Sequence, residues 1–303
     1  MTIHQHFQDS RYFIPAESAA ETARLTKQHR LLTEHMGAFP AKLDVTEIHR
    51  VLDLACGPGG WALDVAFHYP RTDVTGVDIN KTNVQYAAAR ARSQGLENVD
   101  FEQMDITERL KFDEGIFDLV NARLLVGFML PQDWPLLLAE CMRILKPGGI
   151  ACLTEAEWGI TNSSAFEQYT ALASLALKRA GQSFSPDGHH LGITPLLSGL
   201  LRQVGFVGIQ YQAHAIDFSA QAEGYHVTCE DARIAFQLLQ PFLLKQDVAT
   251  QEELNEIYTQ AVIDMYQETF CGIVYVLSVW AKKPTMTGPL IGDTEQIQNL
   301  GRF

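Results

Sequence analysis

Apolar residues in this chain come in short dense runs, separated by longer stretches in which they recur at helical spacing. Short runs bounded by Gly, Asp or Pro read as strands buried on both faces, and the longer periodic stretches as amphipathic helices. The pattern predicts a helix over 17–36, led in by Pro15 and stopped by Gly37 and Pro40. A regular alternation follows: strand 50–55, helix 60–68, strand 73–78, helix 81–94 and strand 98–104. A further crossover leads to strand 116–121, helix 131–145, a turn at Lys146-Pro-Gly-Gly149 and strand 150–155. Such alternation through short turns predicts an α/β fold, with a parallel sheet covered by helices on both faces.

The second half loses that rhythm. Residues 164–180 and 194–204 read as helices, Gly205 to Phe218 as a strand, and 229–246 and 251–268 as helices again. Gly272 to Ala281 is the last strand, and 284–303, rich in Pro, Thr, Gly, Asn and Gln without periodicity, reads as a loose tail. No internal repeat or low-complexity tract interrupts the chain.

Composition narrows the function. Of 303 residues, 47% are apolar and 19% charged, a globular balance long enough for one large domain or a core with an elaborated cap. Lys and Arg number 23 against 36 Asp and Glu, a formal charge of −13, so no nucleic-acid partner is expected. The same field favours neutral or cationic ligands. No apolar run has the length of a membrane span, and Met1 to Gln8 is polar and His-rich, unlike a secretory signal. Five scattered cysteines without a Cys-x-x-Cys pair argue against a disulfide framework or a metal site and for a cytoplasmic location.

The chemistry is concentrated in Val51-Leu-Asp-Leu-Ala-Cys-Gly-Pro-Gly-Gly60, a strand that runs into a glycine cluster, followed by Gly76-Val-Asp-Ile-Asn80, a strand that ends in an acid. Two parallel strands ending side by side in this way form a nucleoside-binding cleft. Asp53 precedes the glycines, where its charge would oppose a diphosphate, and Pro58 removes a backbone donor from the loop. A carboxylate beside a backbone-rich turn suits an ammonium or a sulfonium group instead.

Asp53-Leu-Ala-Cys-Gly-Pro-Gly59 resembles the acid-glycine motif of class I S-adenosylmethionine-dependent methyltransferases, and the match continues in order. Gly76-Val-Asp78 is similar to their second-strand acid, Met104-Asp-Ile106 to their adenine-contacting segment, Phe117 to Asn121 to their fourth-strand motif and Leu145 to Gly149 to the turn before their fifth strand. The resemblance covers about residues 50–155. It implies a Rossmann-like, doubly wound sheet of seven strands, mostly parallel with the last antiparallel, and S-adenosyl-L-methionine as cofactor. It further implies that Asp53, Gly57 and Gly59 face the amino-acid end of that cofactor, that Asp78 holds the ribose hydroxyls, and that Ala55 and Ile79 are further cofactor contacts. Asp105 and Ile106 would address adenine, with Asn121 and Arg123 as further contacts. In related enzymes acting on quinones, phenols and other metabolites, Ala-Arg after the fourth strand is followed by Glu-His; here Ala122-Arg123 is present and the Glu-His pair is absent.

Three regions follow from this reading: an N-terminal helical lid over 1–45, the Rossmann-like domain over 46–283 with a helical cap at about 219–270, and the tail from 284. The aromatic-rich Ser10 to Ile14 and the stripe Phe236, Leu238, Leu239, Phe242 and Leu243 suggest a small, largely apolar methyl acceptor, although core is the stronger reading for most of the stripe; Tyr12 is the lid residue and a candidate cofactor contact. Candidate general bases are Glu155 and Glu157 after the fifth strand, and His189 and His190 in a loop. O-, N- and C-methyl transfer stay open, as does a homodimer. The competing readings are a cofactor-binding sensor or scaffold without turnover, a protein or nucleic-acid methyltransferase, and a nicotinamide oxidoreductase. Asn121-Ala-Arg-Leu lacks the Pro-Pro pair of base amino-methylases, and no cysteine follows a proline as in cytosine C5 enzymes.

Overall fold

The computed structural model describes residues 19–285. Its centre is a twisted sheet whose first strands are β1 (Arg50–Leu54), β2 (Asp73–Asp78), β3 (Val99–Gln103), β4 (Phe117–Arg123) and β5 (Leu145–Ala156). These pair in parallel in the order β3-β2-β1-β4-β5. The long β8 (Gly272–Lys282) runs antiparallel beside β5, and β7 (Val207–Asp217) antiparallel beside β8. An eighth strand, the two-residue β6 (Ile160–Thr161), pairs with the start of β8 and raises the count above the expected seven. Two residues carry no periodicity, so the sequence alone could not reveal it.

Each face of the sheet is closed by helices, because the strand residues are apolar on both sides. Leu52, Leu54, Val120, Ala122, Ala151 and Leu153 pack under α4 (Asp133–Ile144) and α6 (Leu197–Val204), where Trp134 is fully buried. Val51, Leu119, Ile150, Cys152 and Trp280 face the other way, against α2 (Gly60–His68). α3 (Lys81–Ser93) follows β2, and its first turn is capped by the Asn80 side chain accepting from the Thr82 and Asn83 amides.

β5 starts earlier than expected. Lys146-Pro-Gly-Gly149 reads as a turn, yet Leu145 already pairs with Phe117, and the register with β4 shifts between Phe117 and Leu119. That irregularity lets the chain carry Pro147, which has no donor, and Gly148 at φ +79° through the strand.

α5 (Ser164–Arg179), α7 (Tyr225–Lys245) and α8 (Gln251–Met265) form a cap with a core of its own. Tyr169 stacks on Phe236 at 4.1 Å and donates its hydroxyl to the Phe236 carbonyl. Phe236, Leu239 and Leu243 are buried in this cluster, with Leu238 and Phe242 packed against it. The stripe that could have lined an acceptor pocket is therefore cap core. α8 opens on a reciprocal cap between Thr250 and Glu253. Finally α1 (Ala19–Met36) lies across the far half of the sheet, with Leu31 and Leu32 against Ile216 and Val276. Among the described residues no helix is long and apolar enough to cross a membrane.

Candidate cofactor site

The carboxyl ends of β1, β2 and β4 meet at one place, and the backbone is strained there. Ala55, at the exit of β1, has φ +51°, and Leu124, at the exit of β4, has φ +57°. Left-handed conformations of residues with a Cβ cost about 1–2 kcal/mol each and cluster at functional sites. Ala55 turns the chain sharply into the glycine loop, whose Cys56 amide donates to the Val77 carbonyl at 2.9 Å.

The glycines are required by their neighbours. A Cβ on Gly59, at φ +76°, would stand 2.6 Å from the Ala87 Cβ and 2.8 Å from the Phe101 ring. Gly76 faces the same ring, with a would-be Cβ 2.6 Å from it. Phe101, a residue that sequence reasoning passed over, is thus the floor on which the turn and the end of β2 both rest. Arg90 of α3 donates to the Pro58 carbonyl at 3.2 Å and closes the outer side.

Asp78 shapes the turn as well as ending the strand. Its Oδ2 accepts from the Gly57 amide and its Oδ1 from the Asn80 amide, both at 2.8 Å. Burial raises its pKa, and the Asn80 and Gly57 amides oppose the shift. Beside it Ile79 is left 62% exposed, an apolar surface at the mouth of the cleft. Asp105 follows β3 and accepts from the Thr107 amide at 2.8 Å and the Thr107 hydroxyl at 2.7 Å, while the Ile106 side chain points into the core.

Asp53 is 3% exposed on β1, with Asn121 directly opposite on β4 donating its Nδ2 to Asp53 Oδ1 at 2.8 Å. Burial pushes the Asp53 carboxyl up to about 7; the Asn121 amide and the charge of Arg123 pull against that rise. Arg123 lies two residues along β4 on the same face. Its Nη2 is fully buried and has no hydrogen-bond partner, and burial lowers its pKa. A buried guanidinium nitrogen without a partner costs free energy that an anionic or carbonyl ligand would recover.

The candidate bases are engaged by backbone amides or exposed. Glu155 is 1% exposed and its carboxylate accepts from the Leu125 amide at 2.7 Å and the Val126 amide at 3.4 Å. Glu157 is bound by the Leu191, Gly192 and Thr194 amides and the Thr194 hydroxyl. His189 and His190 are exposed; the nearest carboxylate to His189 is Asp187 at 3.8 Å. Tyr12 lies outside the described residues. Among the described residues no cluster of His, Cys, Asp or Glu has the makings of a metal site.

The roof of the site is α1, which sequence reasoning placed in a lid without naming its contacts. Leu25 comes within 3.8 Å of where a Gly57 Cβ would stand, and the His29 ring within 2.4 Å of a Gly60 Cβ. His29 Nε2 also pairs with Asp64 Oδ2 of α2 at 2.8 Å. Helical spacing was the signal available, since Leu25 and His29 are four residues apart.

A family model described as a methyltransferase domain matches residues 51–149, the segment that builds this cleft. The chain carries a class I, S-adenosylmethionine-dependent methyltransferase domain. Demethylmenaquinone methyltransferase of Lactococcus lactis is 29% identical over 176 residues, 54% of this chain and 68% of that protein. Methyltransferase str2 of Strobilurus tenacellus is 22% identical over 59% of this chain and 62% of its own length. The probable methyltransferase ltbC of Aspergillus luteorubrus is 29% identical over 52% and 56%. The chain thus spans between about half and two thirds of these relatives' length.

Proposed function

We propose that the chain transfers a methyl group from S-adenosylmethionine to a small, largely apolar metabolite. The observation that carries this reading is the row Asp53, Asn121 and Arg123 beside the glycine turn. It offers a buried acid and an unpartnered guanidinium nitrogen within one cleft, which suits the ammonium and carboxylate of an amino-acid end better than a diphosphate. Asp78 would accept from the ribose hydroxyls, Ile79 would offer its apolar face to the adenine, and the loop around Asp105 and Ile106 would close the far end.

When bound, the cofactor supplies an electrophilic methyl on a sulfonium. The protein's part is to hold that methyl in line with the acceptor and to keep water out, because charge on sulfur disperses as the methyl leaves. Glu155 and Glu157 are committed to backbone amides, and His189 and His190 are exposed. The reading therefore assigns no general base among these four and favours an acceptor that is already deprotonated when it attacks, such as a phenolate or an enolate. The relative named as a demethylmenaquinone methyltransferase supports a quinol-like acceptor by analogy.

The test has two arms. Calorimetry should show micromolar binding of S-adenosylmethionine, about −8 kcal/mol, and no binding of NAD. A screen of phenols, quinones and amines for formation of S-adenosylhomocysteine then identifies the acceptor. Cofactor binding with silence across that screen would move the reading to a sensor or scaffold.

A further inference from the structure

Two faces of α1, about 100° apart around the helix, make different contacts within two turns. Arg24 and Gln28 point at α7: Arg24 Nη1 donates to Asp231 Oδ1 at 2.9 Å, and Gln28 Nε2 lies 3.4 Å from Asp231 Oδ2. Leu25 and His29, each one residue further on, sit on the glycine turn and its helix start. Arg24 also holds Glu21 in a two-pronged pair at 2.7 and 2.8 Å, and both side chains are nearly inaccessible, at 5% and 0% exposure. On the opposite flank His29 pairs with Asp64.

A cluster of two carboxylates on one guanidinium is an expensive way to join two helices, because all three charges lose water. Buried ion pairs of this kind are best attested as devices that fix register, since a slip strands a charge in the interior. For α1 a slip would be felt at once at Leu25 and His29, which are in contact range of Gly57 and Gly60. Arg24 and Asp231 are 207 residues apart in the chain, yet paired, and α1 thereby joins the cap to the cofactor turn.

We propose that α1 is a strap held at two points, by Arg24 to Asp231 of the cap and by His29 to Asp64 of α2, and that Arg24 is the positioning residue through which the cap sets cofactor affinity. Arg24 acts through Leu25 and His29 and does not itself touch the cofactor. This rests on the reading of the turn as the S-adenosylmethionine site. Because the strap crosses from cap to turn, occupation of the cofactor cleft should steady the cap, and loosening the cap should weaken the cleft; coupling of this kind is reciprocal.

The test is titration of the full chain with S-adenosylhomocysteine, comparing wild type with Arg24→Met and Asp231→Asn. Both variants should bind about tenfold more weakly, within the usual range of site-to-site coupling, with the loss in KM for the cofactor rather than in kcat. Arg24→Lys should recover part of it. A merely structural role would lower the melting temperature and kcat while leaving Kd of the folded protein unchanged, and that result would overturn the proposal. Hydrogen exchange on the wild type keeps the question decidable should both variants fail to fold. Ligand should slow exchange in residues 21–32 and around Asp231; no change at either place counts against the strap. If the wild type takes up no S-adenosylhomocysteine, the reading of the cleft falls first. If the wild type binds and Arg24→Met binds as tightly, the strap alone is lost.

Discussion

Asn121 donates its side-chain amide to Asp53 at 2.8 Å across neighbouring strands, in a spot where the carboxyl is 3% exposed. Burial drives that carboxyl up to about 7, so in the free protein it is partly protonated near neutrality. A ligand ammonium would be bound best by the ionised form. Affinity for S-adenosylhomocysteine should therefore tighten as pH rises from about 5.5 to 7.5, up to tenfold per unit below the Asp53 pKa. Asn121→Leu removes a group that stabilises the anion and should move the curve to higher pH. Calorimetry in buffers of different ionisation enthalpy would also show a proton released on binding. A flat profile across this range would take Asp53 out of the ammonium site.

Gly60 offers a steric test free of backbone strain. Its φ is not in the left-handed region, but a Cβ would meet the His29 ring at 2.4 Å. Gly60→Ala should push α1 off the turn, costing about 1–3 kcal/mol in stability and weakening cofactor binding. Trimming the obstacle should restore it: the double variant Gly60→Ala, His29→Ala should bind more tightly than Gly60→Ala alone. A double-mutant cycle in binding free energy measures this coupling. Additive effects would mean that the contact has no bearing on the cleft.

How legible the site was depends on the range of the contacts. That Asp53, Gly57, Gly59 and Asp78 come together where two strands end could be read because a strand, a tight turn and a terminal acid need particular residues in a fixed order. The parallel sheet followed from apolar runs between helical stretches, and its antiparallel last strand from the family resemblance. The contact between Arg24 and Asp231 could not be read, since it is set by how two distant helices dock. Phe236, Leu239 and Leu243 show why a stripe is ambiguous: the same spacing serves a pocket wall or a core, and the presence of α5 and α8 decided for core. Glu155 was placed rightly at the end of a sheet strand, but only the Leu125 and Val126 amides reveal that its oxygens are engaged.

Glu155 gives a stability signature with a definite sign. Burial pushes its pKa up to about 8, against an ordinary value near 4.3 in the unfolded chain. Between those values the native state holds a proton that the unfolded state has released, so stability falls as pH rises through that window. Asp53 acts in the same direction but only up to about 7. The melting temperature should therefore drop between pH 7 and 8.5 in the wild type, and Glu155→Gln should flatten that segment. The glutamine keeps one oxygen for the Leu125 amide. Parallel curves for the two proteins above pH 7 would show that Glu155 is already ionised when folded.

Asp78 has two duties that one ligand series can separate. It accepts from the Gly57 and Asn80 amides at 2.8 Å each, which holds the turn closed, and it stands where ribose hydroxyls would bind. Asp78→Ala loses both, and S-adenosylhomocysteine should bind ten- to a hundredfold more weakly, about 1.4–2.8 kcal/mol. A 2′-deoxy analogue keeps the turn intact and deletes one hydroxyl. The wild type should discriminate against that analogue, and Asp78→Ala should bind both ligands alike, because the acceptor that tells them apart is gone. Discrimination that survives in Asp78→Ala would leave Asp78 as a brace for the turn and move ribose recognition to another residue of the cleft.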